Sequence, residues 1–257
     1  MLPKSPTAGV AALIVLVWVT LTVGVELLAA GPGAQIDERA ATGPLVGVSA
    51  AAVFALLVTA VAGWRRAIGL VAPRPGTLRL ALPATIAVIV MVGIAFVEGL
   101  PASSTLGLLV LNTALVGLSE ELAFRGILLA GLRERYGTGR AVIVGAVAFG
   151  VVHSLNGALT GDYASAAAQS VLAMGMGVWT AGLRLRTGSL AAPIVIHAVW
   201  DLALIAALVG ESTTSAIGVS LVSLVAIVIL TIHGAGLVRA QLREEGAAVP
   251  AGTAASA

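Results

Sequence analysis

Cysteine is absent from the 257 residues, which excludes disulfides, thiolate nucleophiles and cysteine-ligated metal sites. Charge is almost as scarce. Charged residues make up 10% of the chain, where a soluble domain carries about 25%, so a water-facing surface of ordinary size is excluded. Aromatic residues are 4%, and no basic cluster is interleaved with them, which removes the usual grounds for expecting nucleic acid as a partner. There is no alternation of polar and apolar residues in runs of about ten, so a membrane β-barrel is excluded too. What remains is hydrocarbon: 59% hydrophobic residues, mostly Ala, Val and Leu, with 31 glycines and a mean hydropathy of +1.07. The composition predicts an all-α, polytopic transmembrane bundle held by close helix contacts between small residues.

A crossing needs roughly 20 apolar residues, and about eight runs qualify, near 9–30, 44–64, 80–100, 105–132, 141–155, 164–183, 189–209 and 215–238. The basic residues order them. Lys4, Arg65, Arg66, Arg74, Arg79, Arg133, Arg135, Arg140, Arg184, Arg186, Arg239 and Arg243 fall on one side. Arg39 falls on the other, with Asp37, Glu38, Asp162 and Glu211, and Arg125 lies inside a run. The positive-inside rule then gives eight spans with both termini cytoplasmic. Lys4 and the run ending Leu28-Ala29-Ala30 could pass for a signal peptide, but the run is too long for one and is expected to stay as a first span. The Arg65–Arg79 stretch, with Pro73 and Pro75, is expected to lie along the cytoplasmic surface. Residues 1–245 form one domain, its motif-bearing core near 105–209, and 246–257 are expected to be a disordered tail. No internal repeat is visible, which weighs against duplicated transporter folds.

Against that background Ser119–Gly126, reading S-E-E-L-A-F-R-G, stands out. Charges at bilayer depth are costly and usually face a cavity or a partner. The intramembrane ionisable set is Glu120, Glu121, Arg125, His153, His197 and Asp201. Glu121 and Arg125 are spaced i,i+4 and can pair, while Glu120 is turned about 100° away. His197 and Asp201 share that spacing, as do Phe149 and His153. Counting about 1.5 Å per residue from the arginine-bearing loops, Glu120, His153 and Asp201 fall within one layer. Glu26, Glu98 and His233 lie near span ends and are expected to reach interfacial water. Phe149 is expected to pack, Gly175 and Gly177 to admit close helix contact, and Asn112 and Asn156 to satisfy backbone groups.

Two chemistries suit such a set. A glutamate beside a histidine can deprotonate water while a second histidine stabilises an oxyanion. Alternatively Glu120, His153, His197 and Asp201 could hold a divalent metal such as zinc. Both end in hydrolysis of an amide by activated water. Ser119 has no nucleophile-elbow sequence around it.

E-E-L-A-F-R-G, F-G-V-V-H and H-A-V-W-D, in that order, resemble the Glu-Glu-x-x-x-Arg, Phe-x-x-x-His and His-x-x-x-Asn/Asp signatures of the CAAX-processing and bacteriocin-processing (CPBP) intramembrane proteases. The resemblance covers roughly Leu106 to Val209. It implies Glu120 as general base assisted by His153, His197 and position 201 as the oxyanion pair, and Glu121 with Arg125 as a supporting ion pair. The prenyl-protein proteases of that family commonly have Asn where this chain has Asp201. An ionised aspartate would repel an oxyanion, so Asp201 is expected to be protonated, to orient His197, or to bind a metal.

The expected function is an intramembrane endopeptidase acting on a membrane-associated protein or peptide, prenylated or otherwise lipid-anchored, with the bilayer as its other partner. The competing expectations are a non-proteolytic scaffold or bacteriocin-immunity protein keeping the fold, and a proton-coupled transporter. The Ala, Gly, Val and Arg bias with Lys4 as the single lysine suggests a bacterial cytoplasmic membrane.

Overall fold

The computed structural model describes residues 4–210 and 212–248, and among them every regular element is helical. Helix α1 runs through Ala8–Val19, a π-helical stretch Thr20–Val25 and Glu26–Ala30. It is followed by α2 (Ile36–Thr42), α3 (Val46–Ala62), the single turn α4 (Arg65–Ile68) and α5 (Leu82–Glu98), entered through a 3₁₀ turn at Leu78–Ala81. Then come α6 (Ser103–Glu120, continued by a π-helical Glu121–Leu128), α7 (Leu129–Ser154), the short α8 (Asn156–Thr160), α9 (Tyr163–Thr187), α10 (Ala191–Leu208) and α11 (Thr213–Ala247). Local chemistry marks several starts. The side chains of Thr7, Asp162 and Ser212 accept from backbone N–H groups at the first turns of α1, α9 and α11, and Pro83 occupies the first turn of α5.

The chain is an integral membrane protein. Among the described residues six helical runs are long and apolar enough to cross a bilayer, and α2 with α3, bent by 84°, makes a seventh if the pair is one broken span. The run Ser103–Thr160 is a single stretch of 58 residues by hydrogen bonding, yet Gly137 interrupts it with φ 76° and ψ 168°. That region of backbone space is essentially closed to any residue with a Cβ. A division there returns the fourth and fifth runs expected from the sequence.

The bundle is built on α9, which packs against both α7 and α11, while α10 lies along α6. Backbones approach where side chains are missing. A Cβ on Gly234 would stand 2.4 Å from the Cα of Trp179, and one on Gly117 would stand 2.9 Å from Ile194 O and Ala198 N. The second contact matters most for the site. Gly117 lies about one turn before the paired glutamates, and Ile194–Ala198 brackets His197, so the missing side chain lets α10 deliver its histidine to α6. Gly175 and Gly177 serve as expected, against Thr231 and Ala146.

One core joins Trp18, Ile68, Leu122, Phe124, Ile127 and Phe149, and a second joins Met91, Trp179, Leu183, Trp200 and Leu230. The expectation for Glu26 is corrected here. Glu26 does not reach interfacial water: it is buried, its Oε2 accepts from Gly47 N at 3.0 Å, and Oε1 lies 3.8 Å from Arg39 Nη1. Arg39 is buried as well, donating to the carbonyls of Gly31 and Ala34, so the acid has a fixed cation rather than solvent. His233 is part-exposed, and its Nδ1 accepts from Trp179 Nε1 at 3.2 Å. The side chain of Glu98 lies outside the described set. Asn112 does satisfy backbone groups, bonding Leu45 N, Ala40 O and Gly43 O, while Asn156 bonds the Gln169 side chain instead. Helix α11 persists to Ala247, past the expected start of the tail, and residues 249–257 lie outside the described residues.

Candidate active site

All six ionisable residues singled out from the sequence meet at one place, where the end of α6 and its π-helical continuation face the last turn of α7 and the middle of α10. A π-helical stretch is uncommon and tends to occur at functional positions. Here its eight residues are all buried. Glu121 and Arg125 pair as their spacing predicts, with Arg125 Nη1 3.2 Å from Glu121 Oε1. The guanidinium also lies over the Phe149 ring, 3.8 Å from its centre, so the arginine is held by a carboxylate on one side and an aromatic face on the other.

His197 stands between carboxylates. Its Nδ1 is 2.9 Å from Glu121 Oε1, and its Nε2 is 3.4 Å from Asp201 Oδ2 and 3.7 Å from Glu120 Oε2. His153 is oriented from its own helix. Its Nδ1 is 2.8 Å from the carbonyl of Phe149; a carbonyl only accepts, so Nδ1 carries the proton and donates, leaving Nε2 as the lone-pair nitrogen of the neutral ring. That Nε2 is 4.0 Å from Glu120 Oε2. Oε2 is itself buried and has no hydrogen-bond partner among the described residues.

Accessibility divides the set in two. The side chains of Glu121 and Arg125 are 0% and 3% exposed, while those of Glu120, His153 and Asp201 are 15%, 14% and 25% exposed. The first pair is sealed in the protein and the other three line an approachable rim, with His197 at 8% between them. Charges sealed this way stabilise little by themselves, but removing one partner strands the other.

Around these residues runs an aromatic chain. Trp18 meets Phe124 edge to face at 5.5 Å between ring centres, Phe124 meets Phe149 at 5.0 Å, and Phe149 meets His153 at 4.5 Å. Trp18 Nε1 donates to Ser119 Oγ at 2.7 Å, which ties α1 to the residue before Glu120. Phe149 is therefore a packing residue that also seats both an arginine and a histidine. Neither the Trp18–Ser119 bond nor the Glu121–His197 bond was anticipated. The partners are 101 and 76 positions apart, and the one available signal was that Trp18 falls in the apolar first run with an indole N–H needing an acceptor.

A divalent metal was one expectation for this set. Among the described residues no group of three or more His, Cys, Asp or Glu side chains is arranged to hold a metal ion. His197 Nδ1 is engaged with Glu121 and His153 Nδ1 with a carbonyl, which leaves their Nε2 atoms toward Glu120 Oε2 at 3.7 and 4.0 Å, and no chemical step is routed through a metal.

Residues 102–203 match the family model described as type II CAAX prenyl endopeptidase, Rce1-like. The matched segment contains the three motifs and all six residues of the site, and it bears out the family resemblance read from them. No curated protein and no solved structure matches the chain.

Proposed function

We propose that this protein is an intramembrane endopeptidase in which Glu120 and His153 activate a water and His197 stabilises the oxyanion. The membrane-embedded peptidase follows from the apolar helices and the family match; the residue roles, the substrate and the orientation are this proposal's own. The observation that carries it is the pair Glu120 Oε2 and His153 Nε2, 4.0 Å apart. A carboxylate and a lone-pair nitrogen are both acceptors and cannot bond each other. One water donating to both at about 2.8 Å satisfies them together, and that water is the nucleophile.

The water oxygen adds to the carbonyl carbon of the scissile amide as its proton passes to Glu120 Oε2. The carbonyl electron pair becomes an oxyanion, which the Nε2–H of His197 stabilises when that ring is the imidazolium. The C–N bond then breaks, and Glu120 returns the proton to the leaving nitrogen. Glu121, at Nδ1 of His197, supports the positive charge that this role requires. Asp201 is a positioning residue: i,i+4 from His197, with Oδ2 3.4 Å from Nε2, it holds the ring until an oxyanion competes for the same proton.

The family description supports a prenylated C-a-a-X protein or peptide cut near its C-terminus as the substrate, with another lipid-anchored or membrane-embedded peptide as the alternative. The distribution of basic residues supports an eight-span arrangement with the arginine-rich face and both termini in the cytoplasm, and the composition supports a bacterial cytoplasmic membrane as its setting. The test is cleavage of a prenylated C-a-a-X peptide by the full chain in proteoliposomes, read by mass spectrometry. The expected result is a shortened peptide from the parent and none from Glu120→Gln. No cleavage by the parent of prenylated, otherwise acylated or membrane-embedded peptides would contradict the proposal.

A further inference from the structure

On the arginine-rich face the arginines differ in what they meet. Arg133 Nη2 lies 2.9 Å from Glu245 Oε1, and Arg186 Nη1 lies 2.5 Å from Glu244 Oε1. Arg184 and Arg74 have no carboxylate within ion-pair distance among the described residues, although each is held in place. Arg184 Nε donates to the carbonyl of Ile68 at 3.0 Å, and its guanidinium lies directly over Gly69. A Cβ there would stand 2.2 Å from Cζ and 2.3 Å from Nη2. The backbone N–H of Arg74 donates to Thr187 O at 2.9 Å, and its Nε lies 3.2 Å from where a Cβ of Gly188 would be. Two guanidinium groups are thus seated on glycines, beside the last turn of α9.

That seating is electrostatically costly as it stands. The first cost to Arg184, which is only part-exposed, is its burial, and the charges of Arg133 and Arg74 add repulsion. The carbonyl end of α9 offsets part of this, since a helix C-terminus is equivalent to about half a negative charge, but it faces two cations. A dianionic or monoanionic oxygen cluster in the same place would meet planar donors suited to bidentate contact. The location favours one source. Thr187 ends a membrane-length helix, which puts the two arginines at the level of lipid headgroups, where basic pockets between helices take anionic lipid.

We infer that Arg184 and Arg74 form a binding site for the phosphate of an acidic phospholipid at the arginine-rich membrane interface. The site is separate from the catalytic residues and its fate does not depend on theirs. The test uses the full chain purified in detergent, with phosphatidylglycerol, phosphatidylcholine or inorganic phosphate added, and lipid retention read by native mass spectrometry. The parent retains phosphatidylglycerol in preference to phosphatidylcholine. The double variant Arg74→Gln/Arg184→Gln weakens retention about thirtyfold, at about fivefold per arginine near the surface. The control Arg65→Gln/Arg66→Gln, on the same face, changes it less than the double variant does, because those residues lie outside the seated pair. Equal retention of the two lipids by the parent, or equal loss in the control, would overturn the site. Inorganic phosphate displacing phosphatidylglycerol would overturn the lipid as its ligand. Should Arg184→Gln not fold, Arg74→Gln alone is exposed and serves: unchanged retention there also overturns the site.

Discussion

His197 Nδ1 lies 2.9 Å from Glu121 Oε1, and the same oxygen is 3.2 Å from Arg125 Nη1. One carboxylate oxygen therefore serves an ion pair inside the π-helical turn and an imidazole delivered from another helix. Glu121→Gln is expected to leave Arg125 buried without an anion, at about 3–5 kcal/mol, and to lose cleavage. Glu121→Gln/Arg125→Met removes the stranded charge and should regain most of that stability while remaining inactive, because His197 still lacks its partner. Thermal unfolding and peptide cleavage on the same preparations separate the two effects. A double variant that cleaves at the parent's rate would show that Glu121 serves only the fold.

The close approach at Gly117 gives a second test. Gly117→Ala and Gly234→Ala both drive a methyl into backbone atoms, and each should cost about 1–3 kcal/mol. Only the first stands between α6 and α10, beside the contact of Glu120 and Glu121 with His197. Cleavage by folded Gly117→Ala should fall at least about tenfold, which corresponds to about 1.4 kcal/mol in the barrier, while folded Gly234→Ala stays near the parent. Equal activities at matched stability would contradict the role given to that contact.

Asp201 faces His197 Nε2 at 3.4 Å and its side chain is a quarter exposed. Asn in its place keeps a hydrogen-bonding oxygen and removes a charge that opposes the oxyanion. Asp201→Asn should cleave within about tenfold of the parent, and Asp201→Leu should lose at least about a hundredfold. The comparison is kcat at saturating peptide. A complete loss in Asp201→Asn would mean that the carboxylate itself is required.

Trp18→Phe keeps the edge-to-face contact with Phe124 but deletes the donor to Ser119. A buried neutral hydrogen bond is worth about 1 kcal/mol, so unfolding should move by a few degrees with cleavage nearly unchanged. Trp18→Ala empties the end of the aromatic chain and should cost about 3–5 kcal/mol.

The order of elements and the membership of the site were legible in the sequence because charge is so rare in it. Where Glu120, His153 and Asp201 interrupt hydrocarbon, helical rise alone places them at one depth, and the structure brings them together. The same scarcity misled at Glu26. Proximity to the end of a run suggested solvent, whereas its partner Arg39 arrives from the next helix, and no local spacing announces that. Periodicity likewise says nothing about where a helix widens, so the π-helical turn from Glu121 to Leu128 was invisible, as were the bonds Trp18 and Glu121 make to distant positions. A φ of 76° at Gly137 divides what hydrogen bonding alone leaves as one long helix, and glycine content by itself did not single it out.

The most direct measurement is the cleavage rate of Glu120→Gln, with His153→Ala beside it, on a prenylated C-a-a-X peptide that the parent cuts in proteoliposomes. Neither change strands a buried ion pair, so both proteins should unfold within a few degrees of the parent. Loss of the carboxylate and loss of the lone-pair nitrogen should each reduce kcat by at least about a thousandfold, in the range of 10²–10⁴ for general acid–base groups and somewhat beyond where the water is also misplaced. Cleavage by either variant at the parent's rate would contradict water activation between these two residues.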